Sequence, residues 1–247
     1  GKPGPVCLSI PTNVLEAPVD PAAAVYRVRP IEPNQETPAM DARSVAAATD
    51  LLNRANRPVM IVGGSAWGAI DAAVLAAHAQ RINMPVFTFE VARGLIPDDG
   101  QLCFGYAHPQ YNKVFHELQS ADLILLVGAE IGLHTGERKR KQLIGPETRI
   151  VQIHTDPEQI GIGRASDASV IGPLAAGLGA LVAGHDARAR ERQRPWLDHV
   201  RGRYAEWRSE LQTLHRKVSG GKEIHPLQVH GSLARHYSDA VRLSIDG

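Results

Sequence analysis

Cysteine is scarce: the 247 residues contain two, Cys7 and Cys103. They lie far apart in no metal-ligand spacing, which excludes a disulfide framework and a cysteine-held zinc and makes a reducing cytoplasm the default. Long apolar runs are also missing. Those at residues 59–62 and 123–127 fall far short of the ~20 residues of a membrane span. Neither sign of charge dominates: 27 Lys+Arg against 26 Asp+Glu give a formal +1, so no global field is available to grip nucleic acid or an anionic membrane. The 11 histidines, His108, His134, His154 and His225 among them, include no i, i+4 pair beside a carboxylate, so no metal site is expected. Gly-x-Ser-x-Gly and Gly-x-x-x-x-Gly-Lys motifs are absent as well. Gly1-Lys2-Pro3-Gly4-Pro5 has neither a starting Met nor the regions of a signal peptide. Residues 242–247 read as a strand and its turn, and the expectation is a piece of a longer chain.

What is present is globular: 43% hydrophobic and 21% charged residues, enough for one or two domains with a sizeable core. Residues 6–10, between Pro5 and Pro11, read as a short strand. Residues 16–40, with Pro18, Pro21, Pro30, Pro33 and Pro38 and no apolar periodicity, read as an extended linker. Beyond it the pattern is regular. Helices are expected at 41–53, 66–82, 112–120 and 139–144, alternating with strands at 58–62, 85–89, 123–127 and 149–154. A last strand at 168–171 and a covering helix at 173–182 complete the set. Near-continuous apolar strands separated by helices predict a doubly wound, parallel α/β sheet covered on both faces, over residues 41–185. Residues 186–222 hold a basic amphipathic helix and connector. Trp196, Leu197, Val200, Tyr204, Trp207, Leu211 and Leu214 form its apolar stripe, and nine basic residues stand between 188 and 217. Such a face can serve anionic surfaces, although a solvated face over a packed stripe is the commoner case. A further helix is expected at 226–237.

Two motifs are candidates for ligand contact. Gly63-Gly64-Ser65 follows a buried strand where a doubly wound sheet places phosphate, but lacks Gly-x-Gly-x-x-Gly spacing; glycine also makes ordinary βα turns. Arg138-Lys139-Arg140-Lys141 could pair with nucleotide phosphates or simply be solvated.

Several stretches, in order, resemble thiamine-diphosphate enzymes of the acetolactate synthase and benzaldehyde lyase superfamily. Residues 4–15 resemble the last strand of its pyrimidine-binding domain. Arg57-Pro58-Val59-Met60-Ile61-Val62-Gly63-Gly64, Met84-Pro85-Val86 with residues 93–99, residues 121–129 and residues 150–157 are similar to its Rossmann-like central domain. Residues 128–136 with Gln142-Leu143-Ile144 resemble benzaldehyde lyase more than acetolactate synthase. Ile224-His225-Pro226-Leu227 and Ser244-Ile245-Asp246-Gly247 resemble the entry into the diphosphate-binding domain. The resemblance therefore divides the chain at 1–15, 16–40, 41–185, 186–222 and 223–247.

The resemblance implies a parent carboligase, lyase or decarboxylase acting on 2-keto acids or 2-hydroxy ketones. It also implies thiamine diphosphate and Mg²⁺ in the full-length enzyme, a homodimer or homotetramer, and no nucleic acid or membrane partner. The family's activating glutamate and Gly-Asp-Gly metal motif are not found here, so this piece is expected to be inactive, with no catalytic residues. Asp246 and Gly247 would touch the edge of the thiamine-diphosphate site, and Gly63, Gly64 and Ser65 would be nucleotide phosphate contacts. Flavin-binding relatives have an arginine where Glu130 stands and Gly-x-His-Gly-Thr where residues 105–109 stand, which argues against FAD. An ADP or coenzyme A binding module and a purely structural spacer are the alternatives.

Overall fold

The computed structural model describes residues 7–20, 39–132, 143–219 and 224–236. At its centre are six parallel strands: β1 (Pro58–Val62), β2 (Val86–Thr88), β3 (Cys103–Tyr106), β4 (Leu123–Val127), β5 (Arg149–His154) and β6 (Ala168–Ile171). Their spatial order is β3-β2-β1-β4-β5-β6, so the winding direction reverses between β1 and β4, which pair in register from Pro58↔Leu123 to Val62↔Val127. The doubly wound α/β expectation holds.

Alternation along the strands separates two cores. On one face Met60, Val62, Leu125, Val127, Val151 and Ile153 pack under the helices α2 (Ala42–Arg54), α3 (Ala72–Ile82) and α4 (Leu174–Gly184); a four-residue helix, α1 (Thr12–Leu15), precedes them. On the other face Val59, Ile61, Phe87, Ile124 and Leu126 meet Val114, Phe115 and Leu118 of a 3₁₀ segment, Lys113–Ser120, together with Trp196, Leu197 and Val200. The last three belong to α5 (Ala187–Val218), a single helix of 32 residues that retains Pro195 in its interior. The short α6 (Pro226–Ala234) follows it, opened by a capping box between His225 and Gln228.

The ends of α2 and α3 show why these helices form where they do. Asp41 caps α2 through the N–H groups of Arg43 and Ser44, and Asp71 caps α3 through those of Ala73 and Val74; such caps contribute about 1 kcal/mol each. Asn83 closes α3 in the left-handed conformation, which asparagine tolerates better than most residues.

Local order departs from expectation in several places. The helix expected over 66–82 begins at Ala72, because Gly68 at φ +74 turns the chain out of the helical region first. Residues 113–120 coil as a 3₁₀ helix rather than an α-helix. Strand β3 was not foreseen; Gly105 sits inside it at φ +89, and a four-residue edge strand with an internal glycine has little periodic signal. Residues 7–10 form no strand among the described residues; they are exposed and have no neighbouring ladder to join. Leu143 and Ile144 are buried but not helical, and the rest of the helix expected at 139–144 lies outside the described residues, as do the strand and turn expected at 242–247.

The basic helix also differs from a simply solvated face. Four of its arginines are fastened to the α/β layer: Arg190 donates to the carbonyl of His185, Arg192 to that of Asn53, Arg201 to that of Gln101, and Arg203 pairs with Glu117. No helix among the described residues is long and apolar enough to cross a membrane.

Candidate functional site

All six strands point the same way, so their carboxyl ends form one edge, and the reversal of strand order opens a crevice there. The loops after β1, β2, β4 and β5 surround a cleft of about 600 Å³, lined by Gly64, Ser65, Trp67, Phe89, Glu90, Glu130, His154 and Thr155 among others.

Gly64 and Ser65 line this cleft; Gly63, just before them, does not, and the reason for glycine there is close backbone approach. A Cβ on Gly63 would stand 2.5 Å from the Ala129 Cα and the Gly128 oxygen. Gly128, at φ +57, would place its own Cβ 2.9 Å from the Ala66 nitrogen. The two turns are laced together by main-chain hydrogen bonds: Gly63 N–H to Val127 O at 3.0 Å and Ser65 N–H to Gly128 O at 3.1 Å. Ala66 and Trp67 donate back to Gly63 and Gly64. Of the N–H groups of residues 63–67, that of Gly64 alone has no main-chain acceptor among the described residues. Ser65 Oγ is buried with no hydrogen-bond partner among them.

On the β4 side, the loop carrying Glu130 is held from beneath by Gln152, which is buried at 1% exposure. Its amide donates to the Ala129 and Gln159 carbonyls at 2.9 and 2.8 Å, and its Oε1 accepts from Gly161 N–H and Ser166 Oγ. All four hydrogen-bonding positions of the amide are thus filled, which is what a buried amide needs to rigidify rather than weaken a core. His154, buried at the end of β5, accepts from the Asp156 N–H on Nδ1 at 3.0 Å.

On the β2 side, Glu90 is held at φ +48, one of two described non-glycine residues with positive φ. Gly64 has no side chain to obstruct it: a Cβ there would be 3.9 Å from Glu90 Oε2. Beyond it lies an aromatic group in which the rings of Phe89, Tyr106, His108 and Tyr111 face one another, with the Arg93 guanidinium 5.5 Å over Tyr106. Burial raises the Tyr106 pKa, the Glu90 carboxylate raises it further, and Arg93 partly opposes both. Cys103 is buried and its thiol is pushed well above the ordinary range, first by burial and then by Asp98; it is an inert core residue.

Of the residues singled out from sequence, Gly64, Ser65 and Glu130 line this cleft, whereas Gly63 packs behind it against Gly128 and Ala129. Asp246 and Gly247 lie outside the described residues, as do residues 138–141 and His134. Glu90, Trp67 and Thr155 were not foreseen as site residues, and His154 was read only as one of the scattered histidines. The signal that could have found Glu90 is an acidic residue just past the second strand of a doubly wound sheet. Among the described residues no group of three or more His, Cys, Asp or Glu side chains could hold a metal ion.

Residues 45–181, which span α2 through α4, match the family model described as "Thiamine pyrophosphate enzyme, central domain". The chain belongs to this family. It is 32% identical over 209 residues to an acetolactate synthase large subunit of Parasynechococcus marenigrum, covering 81% of this chain and 32% of that protein. It is 33% identical over 222 residues to a protein of Pseudomonas aeruginosa assigned as a 2-ketoarginine decarboxylase, covering 88% and 37%. In three dimensions it is similar to an X-ray structure from Mycobacterium smegmatis assigned to the thiamin diphosphate-dependent enzymes, with a TM-score of 0.50, 23% identity, and coverage of 60% of this chain and 28% of that one. The chain spans about a third of the length of these curated relatives.

Proposed function

We propose that this chain is the central portion of a thiamine-diphosphate-dependent carboligase, lyase or decarboxylase that makes or breaks a C–C bond beside the carbonyl of a 2-keto acid or 2-hydroxy ketone. The observation that carries this reading is the extent of the match: relatives align with four-fifths or more of this chain, yet the chain accounts for about a third of each. Thiamine diphosphate, with Mg²⁺, supplies the electron sink for such chemistry, and the protein supplies orientation and proton transfer. The described residues contain no acidic or histidine set suited to Mg²⁺, and the residues expected at the edge of the thiamine site, Asp246 and Gly247, lie outside them, so no catalytic step is assigned to side chains of this chain. Its contribution is a rigid α/β layer with a cleft at the switch point. The parent enzyme is proposed to be a cytoplasmic homodimer or homotetramer acting on small molecules, without FAD.

The test is an activity assay with 2-keto acids, thiamine diphosphate and Mg²⁺. Turnover is expected from a protein that carries this chain together with flanking pyrimidine- and diphosphate-binding domains, and none from the 247 residues alone. Robust turnover by the 247 residues would overturn the reading. A second reading, an ADP or coenzyme A binding module, is favoured by one observation, the cleft at the switch point; calorimetry with both ligands tests it.

A further inference from the structure

The C-terminal half of α5 and the whole of α6 form a second surface, away from the carboxyl edge of the sheet. No residue of α5 beyond Val200 is buried, and none of α6 is. The two helices are nonetheless fastened to each other. The Gln228 amide donates to the Val218 carbonyl at 2.8 Å, and Gly231 lies so near the His215 ring that a Cβ there would stand 2.4 Å from Nε2. A helix as short as α6 gains most of its stability from packing rather than from propensity, yet this pair leaves its apolar side chains partly open. Between the helices runs a groove of about 510 Å³, lined by Leu211, Leu227, Gly231 and Ala234 and, from α5, by Arg208 and Arg216.

Charge is sorted around α5. Its acidic residues in this half are engaged elsewhere, Glu206 with Arg203 and Glu210 with Lys113 at 2.7 Å. The groove is lined by no carboxylate among the described residues. There Arg208 makes no ion pair or side-chain hydrogen bond, and Arg216 makes one hydrogen bond, to Thr213 Oγ1 at 3.2 Å. An apolar groove with two uncompensated cations complements an acidic, amphipathic partner.

The spacing of the cations selects the kind of partner. Arg208 and Arg216 are eight residues apart, about 12 Å along the helix axis, so one small carboxylate engages only one of them. A helix with carboxylates two turns apart engages both, and its apolar residues at the intervening positions fall over Leu211 and Leu227. Gly231 and Ala234 are small, which lets a third helix come close. No described helix of a second copy has this charge: α2 carries one acidic residue, α3, α4 and α6 carry none, and α5 is net basic.

We propose that the groove between α5 and α6 docks an acidic amphipathic helix of a separate protein, with its apolar face on Leu211 and Leu227 and its carboxylates on Arg208 and Arg216. The proposal is independent of thiamine chemistry, and its test omits thiamine diphosphate, so the two readings can fail separately.

The probe is a fluorescein-labelled peptide of about four helical turns, with leucine along one face and glutamate on both flanks. It is titrated with the 247-residue chain by anisotropy, beside a version with lysine for every glutamate and a scrambled version of the same composition. The glutamate peptide is expected to bind at least tenfold more tightly than either control, and more weakly as salt is added. Arg208 and Arg216 are exposed, so the chain carrying both Arg208→Glu and Arg216→Glu is expected to melt as the parent does. It should lose the glutamate peptide at least tenfold and bind the lysine peptide instead. The proposal is overturned if no peptide gives a saturable signal at millimolar protein, if either control binds as well as the glutamate peptide, or if the doubly reversed chain keeps its affinity or fails to take the lysine peptide. It is also overturned if a longer protein carrying this chain with its flanking domains no longer binds, because the groove would then be covered from within its own chain.

Discussion

The two edges of the sheet are built by different means. At the amino edge, side chains staple the layers together: the Asp122 carboxylate accepts from the Asn56 and Arg57 N–H groups at 2.8 Å each. Trp196 Nε1 donates to Pro58 O at 3.0 Å, and the Gln193 amide donates to the Leu52 and Ala55 carbonyls. Arg164 gathers the carbonyls of Gly145, Pro146 and Thr148. At the carboxyl edge the β1 and β4 turns are joined backbone to backbone, and the side chains of Glu90, Trp67 and Thr155 face a cleft. At one edge polar side chains bond the chain's own main chain; at the other, several face a cleft. That division is the usual one for an open α/β sheet, in which ligands meet the carboxyl ends of the strands.

The most severe way to break the carboxyl edge is Gly63→Ala. The new Cβ would lie 2.5 Å from main-chain atoms of Gly128 and Ala129, which cannot yield as a flexible side chain would. A loss of about 3 kcal/mol is expected by chemical denaturation; a loss below about 1 kcal/mol would mean that the two turns are less tightly joined than the geometry indicates.

The amino edge is next. Gln193→Leu removes a buried amide and leaves the Leu52 and Ala55 carbonyls without their donor, a loss of about 2 kcal/mol. Chemical denaturation measures the loss, and a loss below about 0.5 kcal/mol would show that this amide does not hold those carbonyls.

Acid should act on the same edge. His185 is buried at 3% exposure, and burial, reinforced by the Arg190 charge, lowers its pKa to about 4, with Gln193 and Asp186 only partly opposing. The unfolded chain binds this proton near pH 6.5 and the folded chain does not until about pH 4. Stability should therefore be full above pH 6.5 and fall as pH drops from there toward 4, by about 3 kcal/mol in all. Melting curves of His185→Leu should be flatter across that window; an unchanged slope would remove His185 as the cause.

The smallest effect is expected from Asp71→Ala. Loss of the α3 cap should cost about 1 kcal/mol by chemical denaturation. A loss below about 0.3 kcal/mol would mean that the Asp71 carboxylate contributes little to holding the helix end.

Much of the fold could be read from the residues. The runs at 58–62, 123–127 and 149–154 are apolar throughout, as strands covered on both faces must be, and Pro173 with the apolar residues after it marks α4. Where reading failed, the cause was local. Gly68 delays α3 although Ala66 and Ala69 are good helix formers, and β3 is short, carries a glycine and lies at the sheet's edge. Of the site, Gly63, Gly64 and Ser65 were legible as a turn, but their chemistry was not, since the same glycines suit a phosphate cradle and a close backbone crossing. Only the position of Ala129 against Gly63 distinguishes them.

Composition and apolar patterning determined by themselves that this chain folds as a parallel α/β sheet with few cysteines and little net charge, because burial on two faces demands continuous apolar strands and these are visible one residue after another. Strand order was decided only in the tertiary structure. It places β1 between β2 and β4, and so brings Glu90 to Gly64 across 26 residues of sequence and closes the Gly63 turn against Gly128. Contacts of that kind depend on which strand lies beside which, and no periodicity within a strand records its neighbour.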